Sequence, residues 1–157
     1  MSTAHIRPFA PADQIAARAL ILEGLREHWG WLDPNLNPDL DDIAASYIAP
    51  GHVFIIAEIG QALAGTGALI IDGDIGQIVR LSVSPQWRRR GIGQALVIAL
   101  LDAAHARGLV SVWMETNLDW HDAIDLYQRC GFQEYDDREG CVFMAVDLAG
   151  NLVSPGA

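Results

Sequence analysis

The sequence predicts a mixed α/β fold, with a largely antiparallel central sheet flanked by helices. Three observations lead there. Residues 53–85 hold three strand-like apolar runs separated by short glycine-bearing turns, the pattern of an antiparallel meander. Residues 91–107 then switch to helical spacing. After them, strand-like and helix-like stretches alternate, which requires a crossover connection within the sheet.

Taken in order, "HIRPF" predicts a short first strand, ended near Pro8 and Pro11 because proline donates no ladder hydrogen bond. "PADQIAARALILEGLREHWG" sets Ala, Ile and Leu at helical spacing, with Gly30 as the stop. "WLDPNLNPDLDD" is polar and proline-bearing, hence a loop. Asp39 is expected to cap a second helix that runs through Tyr47 and ends at "APG". "HVFIIAEI" and "ALAGTGALII" are strands joined at Gly60, and Gly65 and Gly67 allow a bulge or a close backbone approach. "DGDIG" turns the chain into "QIVRLSVSP", the third strand of the group. The helix at 91–107 presents Ile92, Leu96, Val97, Leu100, Leu101 and Ala104 on one face. "GLVSVWMET" follows as a strand; if strands 75–83 and 110–116 are parallel neighbours, the crossover between them is right-handed. "DWHDAIDLYQRCG" is a helix with Ile124, Tyr127 and Cys130 on a related face. "FQEYD" and "CVFMAVDL" close the sheet around "DREG", and the tail "AGNLVSPGA" is expected to fray. The expectation is one domain over 1–157 with its core at about 5–148 and no internal repeat.

Composition excludes several classes. Apolar residues make up 51%, so the chain can bury a core. Its apolar runs are broken well short of the ~18 residues a membrane span needs. "MSTAHIRPFAP" lacks an apolar signal core, and a cytoplasmic location is expected. The formal net charge of −10 opposes binding to nucleic acid or an anionic membrane and favours a cationic partner. The sequence contains no lysine, so a P-loop and Schiff-base chemistry are excluded. Cys130 and Cys141 are expected to be free, mostly buried thiols in a reducing compartment. His5, His52, His105 and His121 are scattered without metal-ligand spacing, so no metal is expected.

Against this acidic background, "RRRGIG" at 88–93 concentrates positive charge at the start of a helix. A helix N-terminus carries unpaired amides and a positive dipole end. Glycine admits a phosphate close to the backbone, and arginine adds fork-shaped donors. The residues alone also fit a solvated helix start whose glycines only relieve crowding. A dinucleotide fingerprint fits less well, since Leu96 stands where its third glycine belongs.

"LSVSPQWRRRGIGQAL" resembles the acetyl-CoA-binding motif of the GCN5-related N-acetyltransferase (GNAT) superfamily, through Val83, Arg88, Gly91 and Gly93. "AIDLYQRCGF" resembles the second hallmark of that superfamily, a helix with Leu-Tyr followed by Gly-Phe. The resemblance spans nearly all of 5–148 and implies the acyl-CoA N-acyltransferase fold. It implies that the backbone of Leu81, Ser82 and Val83 holds the pantetheine arm. The turn of Arg88, Arg89, Arg90, Gly91, Ile92, Gly93 and Gln94 would hold the pyrophosphate. The sheet should splay between Val83 and Thr116, with the thioester in the gap. The implied activity is transfer of an acetyl group from acetyl-CoA, as cosubstrate, to a primary amine of a small molecule or peptide. A homodimer is a further expectation from the resemblance.

By the same resemblance, Tyr127 is the candidate acid for the leaving thiolate. The base position used by many members is occupied here by Gln77, which cannot accept the proton. Glu115, twelve residues before Tyr127, matches the position some protein N-terminal acetyltransferases use instead. A second departure is Trp120, where many members have an asparagine that bonds the pantetheine arm; Asn117 lies three residues earlier and is the substitute candidate. For the acceptor, "REHWGWLDP" offers His28, Trp29, Trp31 and Asp33, with His28 as a substrate ligand or proton shuttle. Trp29 and Trp31 equally suit packing of the first helix on the sheet. The alternative to an enzyme is a non-catalytic acyl-CoA-binding regulatory domain, for which Gln77 and Trp120 leave room.

Overall fold

The computed structural model describes residues 3–33 and 35–148; the tail expected to fray lies outside them. The elements are β1 (His5–Pro8), α1 (Gln14–Trp29), β2 (Val53–Ile59), β3 (Ala62–Asp72), β4 (Ile75–Val83), α2 (Ile92–Ala106), β5 (Ser111–Asn117), α3 (His121–Arg129), β6 (Gln133–Arg138) and β7 (Cys141–Asp147). The strands form a seven-stranded sheet in the order β1-β2-β3-β4-β5-β7-β6. Every pairing is antiparallel except β4 with β5, which is the crossover through α2.

Helices cover the sheet unequally. On one face, Ala17 and Ile21 of α1 pack with Phe54, Ile56 and Ala68 of β2 and β3 and with Leu40, Ile43 and Tyr47. On the other, Ile92, Leu96, Val97, Leu100 and Ala104 of α2 pack with Ile55, Leu69, Ile78, Val112 and Met114. This is the helical face expected from the sequence, although Leu101 is only half-buried. Burial of each large aliphatic side chain contributes about 1.5–3 kcal/mol, so these two layers dominate the fold's stability. Close approach of α2 depends on glycine: a Cβ on Gly65 would stand 2.9 Å from Leu96 and 3.0 Å from the Ser82 carbonyl.

The expected second helix is not continuous. A 3-10 turn at Pro38–Asp41 and one π-helical turn at Ala44–Ile48 replace it. Asp39 caps nothing there, because its carboxylate is engaged by Arg80 and Tyr47. Asp42 caps instead, its Oδ1 accepting from the Ala45 amide at 3.1 Å. Two starts also shift. A 3-10 turn at Pro85–Trp87 precedes α2, and α3 begins at His121, after a turn in which the Trp120 amide donates to Asn117. Both cysteines are free, and they are half-buried rather than mostly buried. Among the described residues, no helix is long and apolar enough to cross a membrane.

Candidate active site

The site begins where β4 and β5 part. They pair only from Ile75–Ser111 to Gln77–Trp113. Beyond that, β4 bulges on its β3 side: the register shifts between Thr66 and Ala68, and Arg80 takes a left-handed φ of 55°. A non-glycine residue held there needs outside support. Arg80 has it. Its carbonyl accepts from Thr66 Oγ1 at 2.8 Å. Its guanidinium grips Asp39 through Nε at 3.1 Å and a terminal nitrogen at 2.7 Å, and the Tyr47 hydroxyl donates to the same carboxylate at 2.5 Å. Burial pushes the Asp39 carboxyl up, but hydrogen bonds from Arg80 and Tyr47 outweigh it and leave the group below its usual range. Burial, then the hydrogen bond to Asp39, pushes Tyr47 up to about 12. Sequence reading missed this network; the one signal was an arginine inside the otherwise apolar run "QIVRLSV".

The arginine–glycine turn follows the free end of β4, and of its residues Arg88 lines the gap. Arg89 and Gly91 both take left-handed conformations, with φ of 63° and 81°. Among the described residues, the backbone amides of Arg89 through Gln94 have no protein acceptor, and Gly91 gives α2 no side-chain cap. Amides turned this way form an anion-binding concavity. The two glycines differ in purpose. Gly91 has open space around its missing Cβ, whereas a Cβ on Gly93 would meet Leu126 of α3 at 3.1 Å, so Gly93 serves helix packing. Arg88 is not a free cation. Its Nε donates to the Val83 carbonyl at 3.1 Å, and its terminal nitrogens hold Glu27 of α1 at 2.7 and 3.2 Å. Arg89 and Arg90 are exposed, and Arg90 lies over the Trp87 ring at 5.2 Å.

A cleft of about 710 Å³ follows the splay, lined by α1, β4 beyond Gln77, the end of β5 and the start of α3. Strand alternation places Met114 and Thr116 toward α2 and α3, and Glu115 on the opposite, α1 side. Both Tyr127 and Glu115 line this cleft. Tyr127 is 5% exposed, packs edge-on against Phe132, and makes no protein hydrogen bond through its hydroxyl among the described residues. Burial, and secondarily Cys130, raises its pKa well above the usual phenol value. Glu115 is exposed and faces Phe143 across the β5–β7 pair. Thr116 is buried, and its Oγ1 has no partner.

On the α1 side, the indole Nε1 of Trp120 donates to His28 Nδ1, and His28 Nε2 lies 3.7 Å from Asp119. These contacts tie the end of α1 to the loop before α3. His28 also lines the cleft, with one ring nitrogen accepting from Trp120 and the other facing Asp119. Trp29 and Trp31 are 56% and 66% exposed, so they do not pack α1 onto the sheet, and neither they nor Asp33 line the cleft. Trp29 is the last residue of α1 and Trp31 follows its left-handed stop at Gly30, and both reach solvent there. Asp33 instead accepts from the Asn35 amide. Asn117 also falls outside the cleft lining, its Oδ1 facing Cys141 Sγ at 3.8 Å. The cleft's arginines, Arg80 and Arg88, are both paired, while Glu115 and Asp122 carry no cationic partner. Among the described residues, no group of three His, Cys, Asp or Glu side chains could hold a metal ion.

Known proteins share this architecture. The family model described as Acetyltransferase (GNAT) family matches residues 18–132. The chain is 41% identical over 106 residues to rat N-acetyltransferase 8, covering 63% of this chain and 48% of that protein. It is 28% identical over 109 residues to the uncharacterized N-acetyltransferase YjgM of Escherichia coli K12, covering 67% of this chain and 65% of that protein. It therefore spans about half to two thirds of the length of these curated relatives. In fold it is similar to the PaiA N-acetyltransferase of Thermoplasma acidophilum, solved in complex with coenzyme A: TM-score 0.81, 15% identity, 92% of this chain and 99% of that one. The splayed parallel pair, the open-amide turn before α2 and the Leu-Tyr helix thus occur together in a chain whose sequence matches one family over most of its core: it belongs to the GNAT acetyltransferase family.

Proposed function

We propose that this protein transfers the acetyl group of acetyl-CoA to a primary amine, with a cationic small molecule or peptide as acceptor. The observation that carries this reading is the run of unpaired amides from Arg89 to Gln94, in the turn that follows the end of β4 left unpaired toward β5. A chain with a diphosphate at one end and a narrow amide-bearing arm fits that shape. The amides meet the diphosphate, and the β4 edge at Leu81–Val83, unpaired toward β5, offers hydrogen bonds to the arm. Arg88 can join by releasing Glu27, since an exposed ion pair is worth only about 0–1 kcal/mol.

The cosubstrate supplies a thioester whose carbon–sulfur bond breaks as the amine's carbon–nitrogen bond forms. Glu115 accepts the proton the amine loses, directly or through water. Tyr127, held protonated by its burial, gives a proton to the leaving sulfur. The two act from opposite faces of the sheet, meeting at the gap. Glu115, which is hydrogen-bonded to Cys141 but has no cationic partner, and Asp122 favour a cationic acceptor and disfavour an anionic one.

The test is turnover of a panel of amines and peptides with acetyl-CoA, read by mass spectrometry as the gain of one acetyl group. Tyr127→Phe should lower kcat about 10²–10⁴-fold while leaving acetyl-CoA affinity within about twofold. Binding of acetyl-CoA with no acetylated product from any acceptor would favour the regulatory reading instead.

A further inference from the structure

The β5-β7-β6 half of the sheet is buried on one face only, as the alternating burial along β5 and β7 shows. Trp113 of β5, Phe143 of β7 and Tyr135 of β6 lie on the other face and belong to neither buried layer. Glu115 shares that face, because it pairs with Phe143 and follows Trp113 by two positions. The rings form a strip. Trp113 stacks on Phe143 with centroids 6.4 Å apart, and Tyr135, 58% exposed, lies 6.3 Å from the same ring. An aromatic strip open to solvent and rimmed by polar groups marks an interaction site.

Charge selects the partner. Arg138 is spent within the strip: its Nε lies 3.1 Å from Asp136, and its guanidinium sits 4.7 Å from the centre of the Phe143 ring. Glu115, and Glu139 in the β6–β7 turn, lie near Cys141 with no cationic partner among the described residues. A second copy of this face would set these carboxylates against their own kind, in chains that each carry a net charge of −10. Residues 149–157 contain no basic side chain to meet them. A cationic partner does meet them.

Building on the acetyl-transfer reading, we propose that this strip docks the acceptor, and that the acceptor is a basic polypeptide with its terminal amine at Glu115 and a large apolar side chain on Trp113, Phe143 and Tyr135. Spacing sets the register. Phe143 stands about 5 Å from Glu115 across the strand pair, and Trp113 about 7 Å away along β5. An extended peptide advances about 3.3 Å per residue, so the docked side chain belongs to its second or third residue. The strip acts on acceptor affinity and leaves the chemistry at the amine unchanged.

The experiment compares glycinamide with three short synthetic peptides that begin with glycine. One has phenylalanine at its second and third positions followed by arginines; one has serines for the phenylalanines; one has glutamates for the arginines. Acetylation rates, and calorimetric titrations into the full chain with coenzyme A present, are measured for wild type, Phe143→Thr and Tyr135→Thr. Tyr135 is exposed and threonine suits a strand, so that substitution spares the fold. Wild type should favour the phenylalanine–arginine peptide about tenfold in kcat/KM over both counterparts and glycinamide. Each threonine variant should lose most of that preference through KM, with glycinamide turnover unchanged. Equal rates for the phenylalanine and serine peptides, or a preference that survives both substitutions, overturns the proposal. A wild-type dimer in sedimentation that Phe143→Thr dissociates also overturns it, by placing a second copy on the face. Deleting residues 149–157 should leave peptide affinity within about twofold; a tenfold gain makes the tail the occupant and overturns it too. If wild type acetylates nothing, the transfer reading fails and titration alone decides. Peptide binding that Tyr135→Thr weakens then upholds the docking strip, and no binding overturns it.

Discussion

Glu115 and Tyr127 approach the gap from opposite faces because one sits on an outward position of β5 and the other on α3, packed beneath the sheet. Glu115→Gln keeps size and polarity but cannot take a proton. Its kcat/KM for the amine should fall about 10²–10⁴-fold, with acetyl-CoA binding unchanged, as steady-state kinetics and calorimetry will show. Arg88 makes a different point. Its side chain reads from the sequence as a free phosphate donor, but it spends its charge on Glu27, 61 residues away in sequence. Glu27→Gln should release it and tighten coenzyme A binding about two- to fivefold at low salt, measured by titration. Unchanged or weaker binding would show that Arg88 contributes no charge to the diphosphate. The pairings that sequence reading missed are of this kind. His28 with Trp120 and Arg80 with Asp39 join residues 92 and 41 positions apart, and no local pattern announces them.

At the scale of elements, much was legible, because strands and helices follow from local periodicity. The apolar spacing of α2, the alternation of β5 and the glycine stop of α1 all appear where the sequence places them. The second helix failed for a tertiary reason: Asp39, the expected cap, is drawn to the β4 bulge. That bulge separates β4 from β5, so Asp39 shapes the cleft from outside it. Asp39→Asn should leave Arg80 without its counter-charge and destabilise the fold by about 1–3 kcal/mol at neutral pH, read by urea unfolding. The pH dependence follows from the sign of the shift. The folded carboxyl titrates below its usual value of 3.8, so it adds stability above that pH and loses it as pH falls through the folded value. The stability difference between wild type and Asp39→Asn should therefore shrink below about pH 4. A difference that stays constant from pH 7 to pH 3 would contradict the ion pair's role.

For the whole molecule, an acidic surface with a net charge of −10 surrounds one turn whose amides are open to an anion. On the proposed function, that contrast offers two approaches, an acidic one for a cationic acceptor and a local positive one for a diphosphate. The sequence showed the positive approach through "RRRGIG", yet the feature the proposed function relies on is the backbone rather than the side chains, since Arg88 is paired and Arg90 lies over Trp87. The most direct measurement is calorimetric titration of coenzyme A into the full chain at low and moderate salt. The account predicts saturable binding at one site per chain, weakened by salt, and weakened further by Gly91→Ala, whose φ of 81° a side chain tolerates poorly. Absence of binding at millimolar coenzyme A, with no shift in thermal unfolding, would contradict it.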